Sequence, residues 1–263
     1  MFTILILLTI LGKHINYIRC LEKTNEIEAQ KNMKSVILAG GFGKRLKPIT
    51  DTIPKSLIDV NGKPILVRQI EWLRKHDMDK IILCIGHLKE KIVKYMGTGK
   101  QFGVTIDYVI EEEPLGTGGA LLNAKHHLIN EDHFIVLNGD VITTLNPKEL
   151  IKKIDTNYGI LSLVPLRSPY GIVNVDQNMQ IKNFTEKPLL RSHLINAGVY
   201  CLKPNIFNYL QNKTNIESVG FPEIAKENKL SAVQFNKCFW KSIDGFKDIE
   251  EAEKGIKNIG AEK

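Results

Sequence analysis

Three glycines and a small set of basic residues, placed directly behind a short apolar run, carry the most chemistry in this sequence. Val36-Ile37-Leu38-Ala39 leads into Gly40, Gly41 and Gly43, and Lys44, Arg45 and Lys55 follow. Glycines in such a turn let backbone N–H groups approach an anion with no Cβ in the way. Arg45 and Lys55 add fixed positive charge, and the ligand that suits both is a polyphosphate. Without the cations, a tight strand-to-helix turn would explain the glycines equally well. Spacing excludes two familiar phosphate loops. No Gly-x-x-x-x-Gly-Lys-Ser/Thr string occurs, and a dinucleotide fingerprint begun at Gly41 would need a third glycine where the chain has Leu46.

Carboxylates form the second group. Asn138-Gly139-Asp140 closes an apolar run, at the end of a strand where open α/β sheets place their ligands. Taken alone, that tripeptide is more often a simple turn. Glu111-Glu112-Glu113-Pro114-Leu115-Gly116-Thr117 would ordinarily be a solvated loop, and Glu186-Lys187-Pro188 a surface turn. Near the end, Trp240-Lys241-Ser242-Ile243-Asp244 offers another carboxylate, and Asp248 suits the first turn of a closing helix.

These residues need a sheet to hold them. The spacing predicts helices over 65–75, 89–96, 117–128 and 247–259. Strands are predicted over 80–85, 104–110 and 134–137, with the first at Val36. Strand–helix alternation of this kind implies an α/β fold, a Rossmann-like, mostly parallel sheet flanked by helices. Beyond residue 158 short strands follow one another (160–164, 171–175, 181–185 and 195–202), predicting a mixed-strand second half. Residues 33–263 read as one domain in two halves, 33–157 and 158–263. Residues 1–32 read as an N-terminal extension, disordered or a start-site artefact. Its apolar stretch from Phe2 to Leu11 is too short to span a bilayer and lacks signal-peptide features.

Composition narrows the classes further. With 263 residues, 43% hydrophobic and 25% charged, the chain is of ordinary globular make-up. The formal charge of +7 comes with no dense Lys/Arg run interleaved with aromatics, so phosphate-rich small substrates suit it and nucleic acid is not implied. Cys20, Cys84, Cys201 and Cys238 show no paired spacing and read as reduced thiols of a cytoplasmic protein. No firm membrane association is implied, and a homo-oligomer is left open.

The run Leu38–Lys55 resembles the signature of the sugar-1-phosphate nucleotidyltransferases, the nucleotide-sugar pyrophosphorylases: Leu-Ala-Gly-Gly-x-Gly-(Thr/Ser)-Arg-Leu-x-Pro-(Leu/Ile)-Thr, then Pro-Lys. Lys44 departs from it, standing where the family has a hydroxyl residue. The run from Glu111 resembles that of mannose-1-phosphate guanylyltransferases. Tyr170-Gly171-Ile172-Val173, Phe184-Thr185-Glu186-Lys187-Pro188 and Ile195-Asn196-Ala197-Gly198-Val199-Tyr200 resemble family sugar-site motifs in the expected order. Together the matches span residues 34–260.

The resemblance implies a sugar-1-phosphate oxygen attacking the α-phosphorus of a nucleoside triphosphate, with pyrophosphate leaving. It casts Arg45, Lys55 and Lys187 as the catalytic cations. Leu38, Ala39, Gly40, Gly41, Gly43, Lys44, Glu111, Gly116, Thr117 and Asn138 join Arg45 and Lys55 around the nucleotide. Gly171, Glu186, Lys187 and Asn196 take the sugar phosphate, and Asp140 and Asp244 hold Mg²⁺. Many relatives place their second aspartate where Ser242 stands here. On a strand, positions 242 and 244 share a side, which favours Asp244. A carboxylate at Glu111 accepts from both N1–H and the 2-amino group of guanine, so GTP is favoured over UTP or dTTP. The expected product is GDP-mannose. Alternatives are a heptose-1-phosphate guanylyltransferase, a glucose-1-phosphate uridylyl- or thymidylyltransferase, and a non-catalytic regulatory subunit of the same fold.

Overall fold

The computed structural model of the chain describes residues 33–261. The N-terminal extension and Cys20 therefore lie outside the described residues. The chain enters at β1 (Lys34–Ala39) and passes three short 3₁₀ turns, Lys44–Leu46, Ile49–Asp51 and Lys55–Leu57, before helix α1 (Ile65–Lys75). Then follow β2 (Lys80–Ile85), α2 (Lys89–Met96), β3 (Thr105–Ile110), α3 (Gly116–Asn123), α4 (Lys125–Leu128), β4 (Phe134–Asn138), β5 (Val141–Thr143) and α5 (Lys148–Ile151). The second half holds β6 (Gly159–Arg167), β7 (Ile172–Val175), β8 (Ile181–Thr185), β9 (Leu189–Leu202), α6 (Gly220–Lys226), β10 (Leu230–Gln234), β11 (Trp240–Ser242) and α7 (Phe246–Ala261).

Seven strands form one sheet in the order β10-β6-β9-β4-β1-β2-β3. Parallel pairs join β4, β1, β2 and β3, while β9 runs antiparallel to both β4 and β6. The fold is thus the α/β arrangement expected, and β9 carries the sheet from the first half into the second. Strands buried on both faces read as continuous apolar runs, as β2 and β4 do. Two clusters cover the two faces. One includes Ile37, Leu83 and Leu137, and the other Val36, Ile82, Val136 and Tyr200. A third cluster of Leu46, Ile58, Val60, Ile65, Ile142, Ile243 and Ala252 packs the glycine-loop segment against β5, the end of β11 and α7. It brings the first and last thirds of the chain together at the sheet's C-terminal edge.

The structure departs from the sequence reading in a few places. The helix expected over 117–128 is two pieces hinged at Ala124. The strand expected from residue 195 begins at Leu189 and continues through two register shifts against β6. β5, β10 and β11 are only three to five residues long and owe their existence to distant partners, so no local period marks them. Cys84 and Cys201 are fully buried, and burial pushes the Cys201 thiol up to about 12, which leaves it inert.

Candidate active site

At the C-terminal end of β4, Asp140 is followed by β5, and β5 pairs antiparallel with β11 so that Ser242 faces Val141. Past the end of β11 the Ile243 amide still donates to the Asp140 carbonyl at 2.9 Å. Asp244 is therefore not a strand residue, as the alternation argument assumed, but it is delivered to Asp140 by this one additional bond. Lys55, at the start of its 3₁₀ turn, joins the two carboxylates. Its Nζ lies 2.7 Å from Asp140 Oδ2 and 3.1 Å from Asp244 Oδ1. Arg45 Nη2 approaches Asp244 Oδ1 at 3.5 Å. Four of the residues singled out in the sequence thus converge on one point.

Local bonding fixes Asp244. Ser242 Oγ donates to its Oδ2 at 3.3 Å. Asp248 Oδ2 accepts from the Asp244 and Gly245 amides at 3.0 and 2.8 Å, which caps α7. Burial raises the Asp248 pKa, but the Lys241 ammonium and these two amides outweigh it and hold the carboxyl below its ordinary range.

The donor set suits Mg²⁺. That ion takes one or two carboxylates and completes its shell with water and substrate phosphate, and here two carboxylates already share a cation, the Lys55 ammonium. Among the described residues no cluster of three or more His, Cys, Asp or Glu side chains offers a fuller cage.

A cleft of about 270 Å³ opens over the ends of β1, β2 and β3. Gly40, Phe42, Gly86, His87, Lys89 and Glu111 line it. Gly40 has a specific reason to be glycine, since a Cβ there would lie 2.9 Å from both Glu111 carboxylate oxygens. The space over Gly41 is open. Burial raises the Glu111 pKa above the usual carboxylate range, and the Leu115 amide offsets part of the rise. A larger hollow of about 830 Å³ lies beside Pro54 and Leu57, walled by Ile53, Tyr95 and Phe102. The smaller cleft is the better candidate, because it sits at the strand ends and holds Glu111.

The remaining sequence-derived residues fall into three groups. Leu38 and Ala39 end β1, where the Leu38 carbonyl accepts from Gly139 N–H at 3.0 Å; Gly43 caps the next turn with φ +60°. Lys44 lies over the Phe42 ring, 6.0 Å from its centroid. Gly116 has φ +71°, and a Cβ there would meet the Thr214 carbonyl at 2.5 Å, so packing against the 214–215 loop already requires glycine.

In the second half, Gly171 lies against Phe184 and Glu186, and Lys187 pairs with Glu186 at 3.1 Å. Among the described residues, no hydrogen bond or ion pair joins Glu186 or Lys187 to the Lys55 cluster. Asn196 and Thr117 belong to a different network. Asn196 Nδ2 donates to the Tyr200 hydroxyl at 2.7 Å, which lies 3.1 Å from Glu217 Oε1; Thr117 Oγ1 donates to Glu217 Oε2 at 2.5 Å. Asn138, whose carbonyl accepts from Gln69 Nε2 at 2.9 Å, reaches the same phenol. The Asn138 Oδ1 atom is buried without a partner. Sequence reasoning gave no role to Glu217, Ser242 or Gln69. No local motif marks Glu217, and only its distant partners distinguish it.

Fold and site define an α/β protein with two carboxylates sharing a lysine at the sheet edge. Residues 34–258 match the Nucleotidyl transferase family, and the chain belongs to it. It is 37% identical over 226 residues to mannose-1-phosphate guanylyltransferase catalytic subunit beta of Xenopus tropicalis, covering 82% of this chain and 62% of that protein. A probable mannose-1-phosphate guanylyltransferase of rice is 36% identical over 221 residues, covering 80% of this chain and 61% of its own length. The chain thus spans about three fifths of the length of these relatives. Among solved structures it is similar to HddC from Yersinia pseudotuberculosis, with TM-score 0.68 and 30% identity over 85% of this chain and 99% of that one. A second HddC structure, complexed with GMP-PN, gives TM-score 0.66 and 29% identity, covering 85% of this chain and 99% of that one.

Proposed function

We propose that this chain transfers a guanylyl group from GTP to a sugar-1-phosphate, most simply mannose-1-phosphate, giving GDP-mannose and pyrophosphate. The observation that carries the reading is the meeting of Lys55, Asp140, Asp244 and Arg45 beside a cleft holding Glu111. The names of the relatives, and a GMP-PN complex of a structural neighbour, support the choice of base and sugar.

In this reading the sugar-phosphate oxygen attacks the α-phosphorus in line, the bond to the β-phosphate bridging oxygen breaks, and pyrophosphate departs. No side chain acts as nucleophile, and the protein's task is to hold two anions together. Mg²⁺ held by Asp140 and Asp244 would supply charge neutralisation between the phosphates. Lys55 and Arg45, freed from the carboxylates, turn their charge to the triphosphate. Lys187 leaves Glu186 for the acceptor phosphate. Glu111 reads the guanine edge. The convergence of two cations on two carboxylates also favours catalysis over a non-catalytic regulatory role. We place the reaction in the cytoplasm, consistent with the free thiols of Cys84, Cys201 and Cys238; among the described residues no helix is long and apolar enough to cross a membrane.

The test is a matrix of GTP, UTP, dTTP and ATP against mannose-, glucose- and heptose-1-phosphates, read as Mg²⁺-dependent pyrophosphate release. The expected outcome is strongest release with GTP and mannose-1-phosphate. Strongest release with the heptose would move the acceptor assignment, and no release with any pair would overturn the transferase reading.

A further inference from the structure

Glu217 stands outside the cluster of catalytic cations, yet both of its carboxylate oxygens are engaged by groups from opposite sides of the site. We propose that Glu217 is a positioning residue for sugar selection. Through Tyr200 it holds the Asn196 carboxamide in one orientation, and through Thr117 it ties that orientation to the nucleotide half. This inference rests on the transferase reading above.

The hydrogen-bond directions from Asn196 through Tyr200 to Glu217 and Thr117 can be assigned, with Asn138 reaching the phenol from the side. The Gly198 amide donates to Asn196 Oδ1 at 2.9 Å, so Nδ2 must be the atom that faces Tyr200. The phenol oxygen accepts there, and its own proton goes to Glu217 Oε1 at 3.1 Å. Tyr200 is fully buried; burial, then the Glu217 charge, pushes its pKa well up, so it keeps the proton it donates. Thr117 Oγ1 accepts from the Ile216 amide at 3.0 Å and gives its proton to Glu217 Oε2 at 2.5 Å. Two hydroxyl protons thus end on one carboxylate. Turning the Asn196 amide over would set two donors against each other at Gly198 and leave the phenol facing Oδ1. Asn196 is itself exposed, so its second Nδ2 hydrogen and a lone pair on Oδ1 are presented outward in fixed positions. A sugar hydroxyl is read well only by a donor and acceptor whose identities do not exchange.

The same geometry joins the halves. Thr117 stands in the first turn of α3, directly after the 111–116 loop that carries Glu111, while Asn196 and Tyr200 lie on β9. Glu217 is the shared acceptor between them.

The test uses the full chain as wild type, Tyr200→Phe, Glu217→Ala, Glu217→Gln and the Tyr200→Phe/Glu217→Ala double variant. The first readout is the kcat/KM ratio of mannose-1-phosphate to glucose-1-phosphate with GTP. That ratio should fall about 10-fold in Tyr200→Phe and in Glu217→Ala, as losing one such hydrogen bond implies. It should fall no further in the double variant, because both changes break one chain. Glu217→Gln should stay within about 3-fold, since its oxygen can accept from Tyr200 while its amide donates to Thr117. The GTP-to-UTP ratio should hold in all forms.

Additive losses, a Glu217→Gln effect equal to that of Glu217→Ala, or a parallel fall in base preference would overturn the proposal. The second readout needs no turnover: the side-chain amide ¹H–¹⁵N signal of Asn196, assigned by its loss in Asn196→Asp. It should lie away from random-coil values in wild type and Glu217→Gln, and near them in the other three forms. If the wild type uses neither sugar phosphate, the mannose assignment fails, and the transferase reading fails with it only when the heptose-1-phosphate is refused as well. The amide signal then decides the positioning role alone, and an unchanged signal in all five forms rejects it.

Discussion

The Ile243 amide donates to the Asp140 carbonyl at 2.9 Å, and this single backbone bond brings Asp244 and Asp140 onto the same Lys55 ammonium. Two carboxylates far apart in sequence become one site because a three-residue strand is extended by one hydrogen bond beyond its last pair.

Asp140→Asn should lower turnover by about 10²-fold or more while the melting temperature holds, since it removes one of the two carboxylates that would hold Mg²⁺ against the phosphates. Asp244→Ala should be comparably damaging. Ser242→Ala, which removes only the 3.3 Å bond to Asp244, should cost no more than about 10-fold. Steady-state rates in Mg²⁺ decide this. A Ser242→Ala loss larger than that of Asp244→Ala would reassign the second carboxylate's role.

Arg45 and Lys187 should separate in binding experiments. Arg45 Nη2 lies 3.5 Å from Asp244, within the Lys55 cluster, whereas Lys187 pairs with Glu186 on the acceptor side. Titration calorimetry with GTP alone should show affinity falling about 10-fold or more in Arg45→Ala, the scale of a charged hydrogen bond. Lys187→Ala should leave GTP affinity within about 2-fold and raise the KM for sugar-1-phosphate instead. Equal losses of GTP affinity in both variants would contradict the division.

Glu111 should give base selection a pH dependence. Burial raises its pKa, and the protonated form cannot accept two bonds from guanine. GTP affinity should therefore fall as the pH drops through this raised value, which lies above that of an ordinary glutamate. Without ligand the sign reverses: the protonated form is favoured in the folded state, so this group's contribution to stability is lost as pH rises through the same value. Glu111→Gln should flatten the pH profile of GTP binding and shrink the GTP-to-UTP preference, expected at about 10²-fold in a partly wet site. Calorimetry across pH 5 to 8 tests both statements; a GTP affinity that stays level in the wild type would remove Glu111 from the base site.

Asp248 should matter to stability first. Replacing it with alanine removes the cap on the Asp244 and Gly245 amides, at a cost of about 1 kcal/mol. Its pKa is depressed, so the stabilisation is complete above the unfolded value and is lost as pH falls through the folded one. Denaturant unfolding of wild type and Asp248→Ala should differ at neutral pH and converge at low pH. Curves that stay equally far apart at low pH would show that the cap does not depend on the carboxylate's charge.

Local information sufficed wherever the physics is local. Continuous apolar runs bounded by turn residues marked β1, β2 and β4, and an apolar spacing near 3.6 marked α1 and α2 with the bounds observed. The dense signature Leu38–Lys55 carried the family by itself, because many residue types at fixed offsets agree with one pattern, Lys44 excepted. Tertiary structure decided what depends on distant partners. β5 and β11 exist only as each other's pair, β9 lengthens because β6 runs beside it, and Gly40 lies against a carboxylate from the end of a different strand. Strand alternation favoured Asp244 in the sequence, but in the fold its approach to Lys55 beside Asp140 follows from the backbone bond just past the end of β11. Glu217 is the clearest case. Nothing near it in the chain marks it, and its role follows only from Tyr200 and Thr117 approaching it from two elements that meet on folding.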